Sequence, residues 1–162
     1  MERGKNMKAK SGFTLVEILI VVVILGILAA IVIPQFTDAS TEAKESSLKS
    51  DLQTMRGQIE LYKAQHNDLV PVPEAGGATW NVMTMYTDQD GTTNATKTAI
   101  FKYGPYLQQI PKNQFNNDLS TVDVDGTLGD DSAGWWFDST SGEIHPDDSD
   151  TCTDGVTAHS AL

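Results

Sequence analysis

Cysteine and positive charge are scarce in this 162-residue chain, and both shortages limit its possible functions. Its single cysteine, Cys152, excludes an intramolecular disulfide bond. No Lys or Arg occurs between Asn113 and Leu162, a stretch that carries eleven Asp and Glu residues. Proteins bind nucleic acids with cationic side chains that neutralise phosphates. The excess of negative charge in this stretch therefore argues against nucleic acid as a partner of the folded part of the chain.

Patterns that indicate catalysis are missing as well. The three histidines and Cys152 stand at spacings that match no metal-binding motif, and no glycine-rich phosphate loop follows a predicted strand. We therefore expect a protein that is not an enzyme and requires no cofactor. We interpret His66 as a helix-end residue rather than a ligand, and Cys152 as an unpaired tail residue rather than a functional thiol.

The clearest positive feature is an apolar run of 21 residues from Phe13 to Ile33. As a helix it spans about 31 Å, close to the thickness of one hydrocarbon core. Basic residues flank it on the N-terminal side only, which predicts a cytoplasmic N-terminus and an exported C-terminal part. A secretory signal peptide has a shorter apolar region that ends in a small-residue cleavage site, and no such site follows Ile33.

Glu17 is the only charged residue in this run. A charged side chain at the centre of a bilayer costs roughly 2.5–3.5 kcal/mol on the insertion scale. Such residues are rare in membrane segments and usually have a function and a partner. A plain signal anchor leaves the position of Glu17 unexplained.

The junction before the run carries a recognisable motif. Residues 10–17 read K-S-G-F-T-L-V-E, which resembles the prepilin signature of type IV pilins and type II secretion pseudopilins. The resemblance implies that a membrane-embedded prepilin peptidase cuts after Gly12 and N-methylates Phe13. The mature subunit is then expected to wait in the inner membrane and to polymerise into a helical filament that is periplasmic or lies at the cell surface.

The same resemblance implies the partners. These are other copies of the chain, the prepilin peptidase and N-methyltransferase, an inner-membrane assembly platform with a cytoplasmic ATPase, and membrane lipid before assembly. Cleavage leaves a cationic α-amine on Phe13, four residues from the Glu17 carboxylate. We predict that the amine of one subunit pairs with Glu17 of its neighbour and thereby sets the register of assembly.

The chain is predicted to be α+β, with a long N-terminal helix whose second half packs on a small antiparallel sheet and a loop-rich domain. We divide it into a leader (1–12), a membrane and filament-core helix (13–33), an amphipathic continuation (34–66) and an exported domain (67–162). Gly26 and Pro34 are predicted to weaken or kink the helix. Apolar residues then recur every three or four positions from Leu48 to His66, which predicts one buried stripe.

The exported domain shows short strand and turn signals. Residues 119–124 predict one strand, and residues 133–138 and 142–145 predict a hairpin. Residues 80–86 predict a short helix or strand, and residues 88–91 a turn. Strand alternation predicts one buried and one surface ring for Trp135 and Trp136. Residues 103–113 resemble a segment of major pseudopilins, although Gln114 stands where that family often has Pro.

An acidic, glycine-rich loop contains Asp123, Asp125, Asp130 and Asp131. Oxygen ligands on a flexible loop suit Ca²⁺, and pseudopilins often hold calcium in such a loop. The spacing does not match an EF-hand. We favour a solvated acidic turn, with calcium at these four residues as the alternative and Asp88 with Asp90 as a weaker one.

Several alternatives stay open at this point. A membrane-anchored periplasmic binding module that never polymerises has the same topology, but it does not require Gly12 or Glu17. A pilin specialised for DNA uptake is disfavoured by the acidic C-terminal part. Many type IV pilins close a C-terminal loop with a disulfide, so a single cysteine favours a pseudopilin or a disulfide-free pilin. The sequence does not separate pilus from pseudopilus, or a major from a minor subunit.

Overall fold

A computed structural model of the chain describes residues 12–73, 79–117 and 119–162. The predicted leader, apart from Gly12, lies outside these residues, as do residues 74–78 and Asp118. The chain divides into two compact units, a first that ends at Ser40 and a second that comprises Thr41–Leu162. One helix, α1, contributes to both.

Helix α1 comprises Leu15–Gln65, which confirms the helix predicted from residue 13 to about residue 66. Thr14 caps its N-terminus, because the Thr14 hydroxyl oxygen accepts a hydrogen bond of 3.2 Å from the backbone N–H of Glu17. The Thr14 carbonyl accepts the bond from the N–H of Ile18 at 3.3 Å. The cap satisfies one of the four amide groups that every helix leaves without a partner at its start.

The helix runs through Gly26 and Pro34 without a break. Pro34 supplies no amide hydrogen to the preceding turn. The Thr37 hydroxyl donates a hydrogen bond of 2.7 Å to the Pro34 carbonyl one turn later. Bending at Gly26 and Pro34 stays a prediction.

In the second unit, one face of α1 forms the core. The predicted stripe is confirmed, since its members are at most 2 % exposed: Leu48, Leu52, Met55, Ile59, Tyr62 and His66. This stripe packs in one cluster with the buried side chains of Trp80, Met83, Trp135, Phe137 and Ile144. At about 25 cal/mol per Å² of apolar surface, burial of these large side chains is the main source of stability for the unit.

Helix α1 ends in a turn at residues 66–68. Asn67 and Asp68 adopt left-handed backbone conformations with φ of 55° and 62°, which Asn and Asp tolerate better than most residues. His66 is buried at this end, where its Nδ1 lies 2.9 Å from the Tyr62 carbonyl and its Nε2 lies 2.9 Å from the Thr87 hydroxyl. Both ring nitrogens therefore have partners within the protein, as the helix-end interpretation requires.

The remaining elements are short. Helix α2 comprises Asn81–Thr84, and strands β1 (Tyr86–Thr87) and β2 (Thr93–Asn94) pair antiparallel around the turn predicted at residues 88–91. Strands β3 (Val122–Val124), β4 (Trp135–Phe137) and β5 (Ile144–Pro146) form a second sheet in that order. A 3₁₀ helix, His159–Ala161, follows near the C-terminus.

The second sheet is mixed, whereas the sequence predicted antiparallel pairing throughout. Strands β4 and β5 form the predicted antiparallel hairpin, but β3 pairs with β4 in parallel, with Val122 opposite Trp135. A parallel pair needs a long connection that returns the chain to the same end of the sheet. The loop of residues 125–134 supplies it, and the strand signals alone did not indicate its path.

Within β4 the predicted alternation is confirmed. Trp135 is fully buried and Trp136 is half-buried. The indole N–H of Trp135 donates a hydrogen bond of 2.8 Å to the Pro111 carbonyl. That bond links the sheet to the 103–113 segment, so a buried tryptophan both fills the core and satisfies a loop carbonyl.

The core stripe predicts a large difference between neighbouring positions of α1. Ile59→Ala removes a side chain that is 1 % exposed, so we expect it to lower the free energy of unfolding by about 2–5 kcal/mol. Leu61→Ala removes a side chain that is 43 % exposed, and we expect a change within about 0.5 kcal/mol. Urea unfolding of the full-length protein in detergent, followed by tryptophan fluorescence, measures both. Equal losses would contradict the assignment of the stripe as the core.

Candidate functional site

The N-terminal tip brings the predicted processing and assembly residues close together in the chain. Gly12, Phe13 and Thr14 precede the helix and are exposed, and the Phe13 side chain is 78 % exposed. A peptidase needs an accessible backbone, and residues 12–14 are exposed and lie outside the helix. Glu17 is exposed and lies in the first turn of the helix.

Glu17 has a local role that the sequence analysis missed. Thr14 is the N-cap, so Glu17 occupies the third helical position, and T-L-V-E is the pattern of a capping box. The hydrogen bond from the Glu17 amide to the Thr14 hydroxyl forms half of that arrangement. A negative charge in the first turn also stabilises the helix through its dipole. The spacing of Thr14 and Glu17 is the signal in the sequence that indicates this role.

The apolar part of α1 presents a large exposed hydrophobic surface. From Leu15 to Ile33 its large apolar side chains are 43–82 % exposed. By length and composition α1 is able to cross a membrane, and it is the only such helix among the described residues. A contiguous apolar surface of this extent marks contact with lipid or with other proteins. The chain is therefore a single-pass, membrane-anchored protein in which the same surface is available for assembly.

The four aspartates of the predicted calcium loop have hydrogen-bond or steric neighbours within the protein. Asp125 accepts a bond of 2.8 Å from the amide of Ser139, and Asp130 accepts one of 3.0 Å from the amide of Ser132. A side chain at Gly126 would collide with the Asp123 carboxylate, because an added Cβ would lie 1.6 Å from its Oδ2.

Asp131 is held by Ser149. Its carboxylate accepts bonds of 2.7 Å from the Ser149 hydroxyl and 2.9 Å from the amide. These bonds lower the pKa of Asp131 below its usual value. Among the described residues, no three of the four predicted aspartates bring carboxylate oxygens within 4.8 Å of one another. Calcium binding here stays a prediction.

A buried aspartate that the sequence analysis missed organises this loop. Asp147 is fully buried and accepts hydrogen bonds from the amides of Gly129 and Ala133 at 2.8 and 3.0 Å and from the Ser132 hydroxyl at 3.2 Å. It therefore fixes the second part of the acidic loop, residues 129–133, to the end of β5. In a chain with this many aspartates, nothing in the sequence distinguishes Asp147 as one that is buried.

Comparison with known proteins agrees with this geometry. A family profile described as "Prokaryotic N-terminal methylation motif" matches residues 7–33. The chain is 33 % identical over 129 residues to the type II secretion system core protein G of Pseudomonas aeruginosa. This alignment covers 75 % of this chain and 89 % of that protein. It is 30 % identical over 135 residues to the protein of the same name from Vibrio cholerae, and that alignment covers 78 % of this chain and 85 % of the relative.

A more local match is to a fimbrial protein of Pseudomonas aeruginosa, at 44 % identity over 64 residues, or 40 % of this chain and 42 % of that protein. No solved structure matches the chain significantly. The core protein G matches extend over most of both sequences, whereas the fimbrial match covers less than half of each. This chain therefore belongs to the type II secretion system core protein G family.

Proposed function

We propose that this chain is a structural subunit of a type II secretion pseudopilus, made as a membrane-anchored precursor that polymerises through its apolar N-terminal helix. The observation that carries the proposal is the exposed apolar part of α1 from Leu15 to Ile33, which lies within residues 7–33 that match the methylation motif. The names of the relatives place them in the type II secretion system, and we extend that assignment to this chain. We propose no catalytic role.

The first step is processing at the membrane. The peptidase cuts between Gly12 and Phe13 on the cytoplasmic side and transfers a methyl group to the new amine of Phe13. The exposed, non-helical backbone of residues 12–14 supports this step. The basic leader holds the N-terminus in the cytoplasm, so the second unit faces the periplasm. The assembly platform and ATPase then act on the processed subunit.

The second step transfers the apolar helix from lipid to the filament core. Lipid tails and apolar side chains are similar environments, so this transfer gains little hydrophobic free energy. Packing and polar contacts must therefore select the arrangement of neighbouring helices. A Glu17 carboxylate 4 Å from a neighbour's Phe13 amine gains roughly 4 kcal/mol at an effective dielectric constant near 20, before desolvation. Any other register leaves the carboxylate buried without its partner.

Processing makes a direct prediction about the N-terminus. We expect the membrane-bound protein to begin at N-methylated Phe13, and Gly12→Val to leave the longer, unmethylated precursor because the bulky side chain blocks the peptidase. Mass spectrometry of the N-terminal peptide measures both. Gly57→Ala is the control, since an added Cβ there meets no atom within 4 Å. A wild-type protein that keeps its leader would overturn the proposed processing.

The capping box makes the assembly role of Glu17 separable from its local role. Gln at the third helical position keeps the capping pattern, so Glu17→Gln removes the charge while the helix start is retained. We expect Glu17→Gln to be processed but to fail to form filaments, as judged by shearing, electron microscopy and immunoblotting of the sheared fraction.

Thr14→Ala supplies the complementary variant. It removes the hydroxyl that caps α1 and retains the Glu17 charge, so we expect it to be processed and to form filaments. If Glu17→Gln assembled normally and Thr14→Ala did not, capping and not charge pairing would be the function of this turn.

A pilus of the same architecture is the second candidate, because the fimbrial protein shares 44 % identity with part of this chain. The core protein G relatives cover most of the chain, and this favours the pseudopilus. A non-polymerising binding module is not favoured, since such a protein has no use for a processing motif. Long fibres at the cell surface at native expression levels would indicate the pilus.

Calcium at the acidic loop remains a proposal that thermal melting tests. Ligand at 100 times its dissociation constant stabilises the folded state by about 2.7 kcal/mol. If Asp123, Asp125, Asp130 and Asp131 bind calcium, adding it to chelator-treated protein raises Tm by several degrees. Asp123→Asn then removes the rise and Asp90→Asn does not. An unchanged Tm identifies the loop as a solvated acidic turn.

A further inference from the structure

Three side chains from two distant segments of the sequence meet inside the second unit. Glu45 lies on α1, Cys152 in the C-terminal tail and His159 at the start of the 3₁₀ helix. They are 6 %, 5 % and 0 % exposed. One potential ligand atom from each lies within 4.8 Å of the others, and this is the only such group of three in the part of the chain that the structure describes.

His159 carries the strongest indication that a ligand belongs here. Its Nδ1 lies 2.6 Å from the Asp148 carboxylate, and both groups are buried. Its Nε2 is buried without a hydrogen-bond partner, and no other buried side-chain nitrogen or oxygen among the described residues is in that state. Buried polar atoms normally have partners, so an orphaned ring nitrogen requires an explanation.

The Asp148–His159 pair determines which nitrogen is available. The Asp148 carboxylate accepts a hydrogen bond from Nδ1–H, and in the neutral imidazole the lone pair then lies on Nε2. Asp148 is itself held by Asn113, whose side-chain amide donates to its second oxygen at 2.6 Å. The Phe115 ring packs edge-on against His159 with centroids 4.3 Å apart. A histidine fixed by a buried carboxylate on its far side is the arrangement found behind metal-bound imidazoles.

Cys152 is positioned by the fold of the tail. Its amide donates to the Thr157 carbonyl at 2.7 Å, and its carbonyl accepts from Gly155 at 2.8 Å. Thr151 and Ala158 form a bridge that brings Cys152 and His159 to the same turn. Burial raises the pKa of the thiol, and a thiol that coordinates a cation loses its proton to solvent.

Glu45 completes the group from the helix side. One of its oxygens accepts a bond of 2.8 Å from the Thr153 amide, and the other pairs with Lys49. A carboxylate accepts about four bonds, so both contacts leave capacity for a cation. The negative charges of a carboxylate and a thiolate balance a divalent ion, and the partly exposed Lys49 side chain is able to swing into solvent.

We propose that Glu45, Cys152 and His159 bind Zn²⁺ through a carboxylate oxygen, Sγ and Nε2, with Asp148 orienting the histidine. Zinc takes N, S and O ligands at about 2.0–2.3 Å, which is compatible with ligand atoms that lie within 4.8 Å of one another. Calcium and magnesium prefer oxygen ligands alone and do not suit a thiol and an imidazole. With three protein ligands, the fourth position of a tetrahedral site is left for water.

The consequence is a metal cross-link between the C-terminal tail and α1. Zinc bound at this site stabilises the folded second unit, because the unfolded chain does not hold the three ligands together. This inference does not depend on the proposed filament, since it concerns the folding of the second unit alone.

Zinc binding to the full-length protein in detergent, purified without a polyhistidine tag, tests the proposal. We expect chelator-treated protein to bind one Zn²⁺ per chain in a titration against a chromophoric chelator, and Tm to rise by several degrees. Calcium at millimolar concentration should not displace the zinc. Absence of stoichiometric binding would overturn the proposal.

Cobalt identifies the ligands. We expect Co²⁺ to give a thiolate-to-cobalt charge-transfer absorption with the wild-type protein, which Cys152→Ser abolishes. His159→Gln should weaken zinc binding at least tenfold, and Asp148→Asn should weaken it 10–100-fold while it retains the charge-transfer absorption. His145→Gln and Glu60→Gln are matched controls outside the cluster, and both should bind zinc as the wild type does.

If a ligand variant fails to fold, as circular dichroism would show, the wild-type cobalt spectrum still decides the question. A wild-type protein that binds cobalt without the thiolate absorption would exclude Cys152 as a ligand and overturn the site. Zinc affinity unchanged in both Cys152→Ser and His159→Gln would do the same.

Discussion

Burial of one stripe of α1 is the interaction on which the second unit depends. Strands of two or three residues contribute too few ladder hydrogen bonds to be stable by themselves. They are held because Trp135, Phe137 and Ile144 bury their side chains in the same cluster as Leu48, Met55 and Ile59. The helix thus supplies the surface on which the irregular chain folds, and the loss of a stripe residue removes packing from the sheet of β3, β4 and β5.

Short aspartate-based turns replace the regular structure that this unit lacks. Asp138 accepts the amides of Thr140 and Ser141, and Asp154 accepts those of Val156 and Thr157. The bonds from Ser141 and Thr140 lower the pKa of Asp138, which shows that the charged form is the one that holds the turn. Much of the acidic composition therefore serves to satisfy backbone amides in loops, a role that side chains of Asp fill well.

What the sequence predicts correctly here is periodic or local. Residues 48–66 repeat every three or four positions and Trp135–Trp136 alternate, so helix, core stripe and strand faces follow from spacing alone. The parallel pairing of β3 with β4 did not follow, because it depends on the path of the 125–134 loop. Asp147 and the Glu45–Cys152–His159 group were also missed. These residues are recognised by their burial and by contacts between segments that are distant in the sequence. Residue spacing does not predict either property.

In the proposed assembly, the apolar part of α1 from Leu15 to Ile33 has to be stable both in lipid and among neighbouring helices. For this reason we assign the selection of register to its one charged residue, Glu17. Apolar side chains are equally satisfied by lipid and by neighbouring helices, so they do not distinguish one register from another. We propose that Glu17 distinguishes them, since a carboxylate in an apolar core is costly unless a cation lies opposite it. Before assembly its place in the first helical turn, next to the Thr14 cap, gives it favourable local interactions. A single carboxylate is thus compatible with the start of the helix in the membrane and selective once helices pack, provided that processing has created the amine it pairs with.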